Sequence, residues 1–331
     1  PAFKRMDKTA HVASAFAQVD HRIADRLARP VLGTAGAAPG PDQGTLMAAY
    51  PTLSHSDESS RTPRGGLQVD TAEDGTRVPV DVVRHVDTPV DGSAACLLYG
   101  YGSYEHSIPP SFSVARLSLL DRGMTYALVH PRGGGEGGRR WYLDGKLLAK
   151  RNTFTDTLAA ADHLVETGWS APDRLAIRGG SAGGLLVGAC ITMRPDRFAT
   201  AVADVPFVDI VTSMSDPTLP LTVTEWEEWG DPREEPYASY MLSYSPYDNT
   251  VAADYPAIYV TAGLNDPRVS YHEPAKWVAR LREMHTGTRP IVMKTEMGAG
   301  HGGPSGRYEA WRDEARTLAF LLSTTGVIDR A

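Results

Sequence analysis

The residue with the clearest chemical signature is Ser181, in the segment RLAIRGGSAGGLLVGACI (174–191). This segment is typical of a strand, a glycine-rich turn and an apolar helix, and the turn matches the G-x-S-x-G pattern of a nucleophilic serine. Small residues beside the serine allow a sharp turn that lifts its hydroxyl out of the sheet at a helix N-terminus. The next backbone N–H then points to a developing oxyanion. We therefore predict Ser181 as the nucleophile and Ala182 as an oxyanion donor.

A serine becomes nucleophilic only beside a general base that a third group orients, and we expect this base to be a histidine. With this motif the chain order is serine, then aspartate or glutamate, then histidine. Three histidines follow Ser181. His272 and His285 flank or lie in a helical pattern rich in Lys and Arg, which indicates a solvated surface. His301 lies in the glycine-rich segment MGAGHGGPSGR directly after a predicted strand, so we predict it as the base.

The candidate for the orienting acid is Asp266, which follows the predicted strand AIYVTAG in the same way. Asp248 and Asp254 are alternatives, but neither directly follows a strand. Asp266 is expected to accept a hydrogen bond from His301, fix the tautomer of the ring and stabilise the imidazolium.

Other chemistries have weaker support in the sequence. Gly133, Gly135 and Gly138 satisfy G-x-G-x-x-G after a predicted strand, but no apolar helix opens on the last glycine, so no dinucleotide site is predicted. The chain has no HExxH and no CxxC motif, and we predict no metal and no other cofactor. The net charge of −7 argues against a nucleic-acid partner.

The elements that must position these residues can be read from hydrophobic runs and turn residues. Continuous apolar strands that alternate with helices favour a mostly parallel twisted sheet with helices on both faces, and the two closely spaced first strands favour an antiparallel N-terminal edge. With the serine motif, this pattern predicts an α/β-hydrolase fold. The predicted strands are 66–71, 77–86, 95–100, 125–130, 174–180, 200–206, 257–263 and 290–297, and the predicted helices are 111–121, 153–167, 182–193, 273–285 and 305–322. Thr153 and Asp156 form a capping-box pattern that would start the second helix.

The 331 residues divide unequally. Residues 1–65 are predicted to hold one amphipathic helix over about 8–28, followed by polar, glycine- and proline-rich linkers. Residues 66–331 are predicted to form one catalytic domain.

Cysteine use and hydropathy predict a cytoplasmic protein without a membrane partner. Cys96 and Cys190 lie in apolar runs and are expected to be buried free thiols. The start of the chain has no apolar core of signal-peptide length, and no run approaches 18 apolar residues. The oligomeric state is left open.

Motifs spread over about 66–328 resemble, in order and with few gaps, the catalytic domain of the prolyl oligopeptidase family of serine peptidases, in its oligopeptidase B branch. They are YGYGSY (99–104), RLSLLDRG (116–123), RGGGEGGRRWYLDGK (132–146), GGSAGG (179–184), PFVD (206–209), TEWEEWG (224–230), YSPYDN (244–249), GLNDPRVSYHEPAKWVARLR (263–282) and AGHGGPSGR (299–307). The resemblance implies that the Tyr101 hydroxyl is the second oxyanion donor beside Ala182, and that Arg268 holds a substrate carbonyl or carboxylate.

The resemblance also implies cleavage of peptides after Arg or Lys, with Glu225 and Glu227 as the recognising residues. Positions i and i+2 share a side on an extended segment but point apart on a helix, so this expectation assumes an extended backbone. Two carboxylates that converge on one pocket would suit a guanidinium, which can pair in a bidentate manner.

The sequence departs from the family in two places. Pro109 and Ser111 stand where the family has two further acidic residues, so a preference for a second basic side chain is not expected. The family also carries a seven-bladed β-propeller, which needs roughly 300 residues. Since only about 65 residues precede the catalytic pattern, we expect no propeller in this chain.

Three functional hypotheses follow. The leading one is a serine peptidase that acts on Arg and Lys bonds through an acyl-enzyme. The second is a broad esterase or acyl-hydrolase with an open site, since the same triad cleaves esters more easily than amides. The third, a non-catalytic interaction protein, conflicts with the filled triad positions.

Overall fold

The computed structural model describes residues 67–69, 72, 74–109 and 111–328. The predicted helix over 8–28 and the linkers after it lie outside these residues. Eight strands form one sheet in the order β1-β2-β4-β3-β5-β6-β7-β8. The strands are β1 Leu67–Val69, β2 Val78–Val83, β3 Cys96–Tyr99, β4 Thr125–Val129, β5 Leu175–Gly180, β6 Thr200–Asp204, β7 Ala257–Gly263 and β8 Ile291–Glu296.

The pairing of the strands confirms the predicted sheet. Strand β2 pairs antiparallel with both β1 and β4, and the other neighbours are all parallel. The antiparallel strands therefore lie at the N-terminal edge. Because parallel strands place their carboxyl ends at one edge of a sheet, the loops after β3, β5, β7 and β8 emerge on the same side.

Nine α-helices and one 3-10 helix lie within the described residues. They are α1 Val114–Leu120, α2 Arg139–Leu143, the 3-10 helix Leu147–Ala149, α3 Arg151–Glu166, α4 Ala182–Met193, α5 Ile210–Ser215, α6 Thr222–Trp229, α7 Tyr237–Leu242, α8 His272–Met284 and α9 Arg307–Thr324. The five predicted helices correspond to α1, α3, α4, α8 and α9. The short helices α5, α6 and α7, between β6 and β7, were not predicted.

Both faces of the sheet are covered, because alternate strand residues point to opposite sides. On β3, Cys96 and Leu98 join a core with the apolar faces of α3, α4 and α8, whereas Leu97 joins a second core with α1 and α9. Helix α4 is buried along nearly its whole length, which explains why its sequence is apolar on every side. Cys96 and Cys190 are buried free thiols, as predicted.

The capping box predicted at Thr153 and Asp156 is wrong. Helix α3 begins at Arg151, so both residues lie inside it. The buried carboxylate of Asp156 instead accepts hydrogen bonds from the backbone and guanidinium of Arg132. Thr153 donates to the carbonyl of Arg132. These side chains fasten the glycine-rich loop after β4 to α3.

No helix among the described residues has the length and apolar character needed to cross a membrane.

Candidate active site

Ser181 lies at the sharp turn between β5 and α4. Its backbone has φ 57° and ψ −119°, a conformation that is costly for a residue with a side chain and that persists only where its surroundings fix it. Its N–H donates to the Asp204 carbonyl at 2.8 Å, and its carbonyl accepts from Phe207 N at 3.1 Å. Backbone bonds to the neighbouring strand and the following loop thus hold the strained residue in place.

The glycines around the serine are required by close backbone approach. A Cβ on Gly179 would lie 2.3 Å from the Gly183 carbonyl oxygen, and one on Gly184 would lie 2.4 Å from Pro206. A Cβ on Gly183 would lie 2.9 Å from the Gly100 carbonyl oxygen. The G-x-S-x-G pattern therefore reflects how tightly the turn packs against β3 and β6.

The two predicted oxyanion donors, Ala182 and Tyr101, line the same cleft as Ser181. Ala182 is the first residue of α4, so its N–H has no acceptor within the helix. Tyr101 follows β3 and lines the same cleft as Ser181 and Ala182. Burial, together with the negative charges of Glu225 and Glu228, raises the pKa of Tyr101 to about 12. The phenol therefore stays protonated and able to donate.

Asp266 and His301 meet in the loops after β7 and β8. His301 Nδ1 lies 2.7 Å from Asp266 Oδ2, and the Asp266 side chain is fully buried. The other oxygen, Oδ1, accepts from the backbone N–H of Arg268 at 2.8 Å and of Val269 at 3.0 Å. With its carboxylate fixed in this way, Asp266 favours the tautomer that carries a proton on Nδ1 and leaves Nε2 as the base.

His301 and Ser181, the predicted base and nucleophile, are not hydrogen-bonded to each other in this structure. Within the described part of the chain, His301 bonds Asp266 but not the Ser181 hydroxyl. Such contacts are often long in unliganded active sites and tighten when substrate binds. The contact between Ser181 and His301 therefore stays a prediction.

A cleft of about 390 Å³ opens beside the serine. The polar residues that line it include Tyr101, Ser181, Glu225, Arg268 and Glu273. Arg268 is exposed, and among the described residues its guanidinium has no hydrogen-bond or ion-pair partner in the protein. It is thus available to a substrate carbonyl or carboxylate.

The predicted convergence of Glu225 and Glu227 is wrong, because residues 222–229 form helix α6 and not an extended segment. Two residues apart on a helix is about 200° of rotation, so the two side chains point in different directions. Glu225 lines the cleft, where its Oε2 accepts from the Tyr104 hydroxyl and from Trp229 Nε1. The Glu227 side chain is 84% exposed, with Lys146 Nζ at 3.9 Å.

Glu228 is a third carboxylate of α6, and the sequence did not single it out. It is buried, accepts from the Tyr104 N–H at 3.1 Å and the Tyr142 hydroxyl at 2.8 Å, and lies 3.7 Å from the buried ammonium of Lys150. The prediction assumed an extended backbone, which would point Glu228 and Trp229 to opposite sides. In the helix both are buried.

Glu273 was also missed. It is buried in the cleft wall, where it accepts from the N–H groups of Val208 and Asp209 and from the Ser213 hydroxyl. Burial raises the pKa of Glu273 to about 7. The helical period could have found it, since Glu273 shares the buried face of α8 with Trp277.

The positions that depart from the family, Pro109 and Ser111, are exposed and are not among the cleft-lining residues. No cluster of three or more potential metal ligands occurs in the part of the chain that the structure describes.

Comparison with known proteins places these observations in a family. Residues 110–327 match the model of the prolyl oligopeptidase family. The chain is 53% identical over 260 residues to a dipeptidyl aminopeptidase BI of Pseudoxanthomonas mexicana, covering 78% of this chain and 36% of that relative. It is 52% identical over 257 residues to a protease 2 of Moraxella lacunata, covering 78% of this chain and 37% of that relative.

Solved structures agree. Oligopeptidase B from Leishmania major superposes with a TM-score of 0.79 at 47% identity, covering 85% of this chain and 37% of that one. Oligopeptidase B from Trypanosoma brucei, solved with covalently bound antipain, superposes with a TM-score of 0.80 at 46% identity, covering 85% of this chain and 38% of that one. The chain thus spans a little over a third of the length of the proteins that it matches.

Proposed function

This chain belongs to the prolyl oligopeptidase family of serine peptidases, and on that premise we propose that it hydrolyses peptide bonds after Arg or Lys. Ser181, His301 and Asp266 are assigned as the catalytic triad. Tyr101 and Ala182 are assigned as the oxyanion donors, and Glu225 and Arg268 as substrate-binding residues. Glu227, in its exposed position, is left out of this assignment.

The reaction proceeds through an acyl-enzyme. His301 Nε2 takes the proton of the Ser181 hydroxyl as the oxygen attacks the scissile carbonyl, and Asp266 stabilises the imidazolium that forms. The oxyanion accepts hydrogen bonds from the Ala182 N–H and the Tyr101 hydroxyl. The imidazolium then protonates the leaving amine. Water, deprotonated by His301, attacks the ester and releases the acid and Ser181.

The position of Glu225 is the observation that supports a substrate with a basic side chain. It is a half-buried carboxylate in the wall of the cleft that contains Ser181. Among the described residues, the side chains that donate to this carboxylate are those of Tyr104 and Trp229, and both are neutral. No cation in the described part of the chain pairs with Glu225, so an Arg or Lys side chain of a substrate would find a carboxylate whose charge is not neutralised there.

The decisive experiment compares Glu225→Gln with Glu227→Gln, on an Arg amide and an Ala amide. A hydrogen bond to a charged group is worth about 1.5–3 kcal/mol, so we expect E225Q to lower kcat/KM for the Arg amide about 10- to 100-fold and to leave the Ala amide nearly unchanged. E227Q is the matched control and should behave as the wild type. Ser181→Ala should remove activity on both amides and labelling by a fluorophosphonate.

Three outcomes would contradict the proposal. Equal rates on the Arg and Ala amides in the wild type would remove the basic specificity. Rates on short acyl esters that far exceed those on Arg amides would favour the broad esterase. Full activity in Ser181→Ala would remove the nucleophile. Because one relative is named a dipeptidyl aminopeptidase, the Arg amide is tested with free and blocked N-termini, which distinguishes removal of dipeptides from internal cleavage.

A further inference from the structure

Tyr104 connects the two halves of the cleft. It lies three residues after Tyr101, on the loop that follows β3, and its hydroxyl donates to Glu225 Oε2 on helix α6 at 2.5 Å. Trp229 Nε1 donates to the same oxygen at 2.9 Å. Within the described residues, Glu225 Oε1 therefore has no donor, so one oxygen is anchored while the other is left for a ligand.

The ring of Tyr104 packs between the same two elements. It makes an edge contact with Trp229 of α6 at 5.6 Å between ring centroids, and lies 6.4 Å from the ring of Tyr101. Burial and the charge of Glu225 raise the pKa of Tyr104 well above its ordinary value. The phenol therefore stays a neutral donor that fixes the rotamer of Glu225 without cancelling its charge.

The backbone of the loop is fastened to a buried ion pair. Tyr104 N donates to Glu228 Oε1 at 3.1 Å. Lys150 Nζ, 3.7 Å from the same oxygen, donates to the Gly102 carbonyl and the Ser103 hydroxyl at 2.7 Å each. Three successive loop residues are thus tied to one pair of charges.

This anchoring holds a strained backbone. Tyr104 has φ 61° and Glu105 has φ 55°, the left-handed region that residues with side chains seldom adopt. Such strain persists only where the surroundings fix it, and it concentrates at functional sites. The loop that carries the oxyanion donor is therefore held in one conformation by contacts to α6, the helix that carries Glu225.

We propose that Tyr104 is a positioning residue that couples recognition of a basic side chain at Glu225 to the placement of the Tyr101 hydroxyl. The inference rests on the proposed function. A cation on Oε1 fixes the Glu225 carboxylate in the orientation in which Oε2 accepts from the phenol, and this steadies the loop and the oxyanion donor. Recognition of the substrate then contributes to turnover as well as to binding.

The test is Tyr104→Phe, which keeps the ring and removes only the hydroxyl. On the Arg amide we expect kcat/KM to fall about tenfold, with part of the loss in kcat, because loss of uniform binding alone would raise only KM. On the Ala amide, which leaves Glu225 unoccupied, the change should be less than twofold. In a Glu225→Gln background, Y104F should add no further loss on the Arg amide.

Tyr255→Phe is the matched control. Its hydroxyl donates to the Val251 carbonyl at 2.9 Å, away from the cleft, so its loss should change stability but not the ratio of Arg to Ala rates. If the role of Tyr104 were purely structural, Y104F would lower kcat/KM equally on both amides, or would lower it further in the E225Q background. Either result overturns the proposal. An unchanged ratio in Y104F overturns it while the Arg specificity stands. A wild type without Arg preference overturns the coupling and the proposed function together.

Discussion

Glu273 shows how a single side chain in the cleft wall can carry a pH dependence. Its carboxyl is buried, and its neighbours on the facing elements are the Val208 and Asp209 amides, the Ser213 hydroxyl and the Asp209 carboxylate. The nearby ammonium of Lys276 bonds Asp209. Burial outweighs the hydrogen bonds, so the pKa of Glu273 rises from 4.5 to about 7.

The raised pKa predicts a loss of stability between pH 5 and pH 8. Between pH 4.5 and 7 the folded chain binds a proton at Glu273 that the unfolded chain has released. The contribution of this proton to the free energy of unfolding is therefore fully present below pH 4.5 and is lost as the pH rises through about 7. Between pH 5 and pH 8 the loss is about 2 to 3 kcal/mol. Glu273→Gln should remove it, because the amide does not titrate and its oxygen can still accept from both N–H groups.

Urea unfolding of the wild type and E273Q across this range measures the effect. The difference in unfolding free energy, wild type minus variant, should be most favourable to the wild type at pH 5 and should decline toward pH 8. All other titrating groups are shared and cancel in the difference. A difference independent of pH would show that the carboxyl is ionised throughout the range.

Single residues were predictable where their chemistry depends on local chain geometry. Ser181 could be proposed because its turn forces glycine at fixed positions, and Asp266 and His301 because each lies in a loop that follows a strand of the parallel sheet. Glu228 and Tyr104 could not be found in this way. Their roles depend on contacts between residues more than 100 positions apart, and no local pattern encodes such a contact.

At the scale of elements, the turn between β5 and α4 requires glycine at some positions more than at others. A Cβ on Gly179 would meet the Gly183 carbonyl oxygen at 2.3 Å and the Gly100 carbonyl oxygen at 2.9 Å. A Cβ on Gly180 would meet only Asp204, at 3.4 Å or more, which is an ordinary contact. Of these two adjacent glycines, only Gly179 is therefore required by the packing of the turn.

Gly179→Ala should therefore abolish the proposed peptidase activity, while Gly180→Ala should not. Backbone atoms cannot rotate away from the added methyl, so the turn and Ser181 must shift, and a misplacement of about 1 Å can cost about 100-fold in rate. We expect G179A to lower kcat/KM at least about 100-fold and G180A less than threefold. Circular dichroism and fluorophosphonate labelling would show whether G179A is folded but unreactive. Similar activity in both variants would contradict this account of the turn.

Helix α6 marks the limit of prediction from local sequence. The segment TVTEWEEW is short and has no residue at its start whose side chain caps the helix, so the local signals do not separate helix from extended loop. Tertiary contacts decide the outcome, since Trp229 is buried against Phe207 and Glu228 against Lys150. Because the segment is a helix, Glu225 faces the cleft and Glu227 does not. For this reason Glu225 remains in the proposed site and Glu227 is left out.

At the scale of the whole molecule, the division at residues 65 and 66 is our proposal for the domain boundary. The described residues bury two apolar cores, one on each face of the sheet, and Ala72, Val78 and Val80 close one of them next to the antiparallel edge. The described members of both cores lie at or after residue 72. The sheet and its helices thus bury a core on each face, as a domain that folds cooperatively requires.

A chain that begins at residue 66 should accordingly keep both its stability and its specificity. We expect its melting temperature to lie within about 3 °C of the full chain, which for a domain of this size corresponds to about 1 kcal/mol or less. Its ratio of Arg to Ala rates should be unchanged, because the cleft-lining residues that the structure describes all lie between 101 and 273. A chain that begins at Val78 is the matched contrast: it lacks β1 and the buried Ala72 and should melt clearly lower. A large drop in the chain that begins at 66 would place residues 1–65 inside the domain. An unchanged melting temperature with a lost Arg preference would instead place them at the cleft, so the two measurements together locate the boundary.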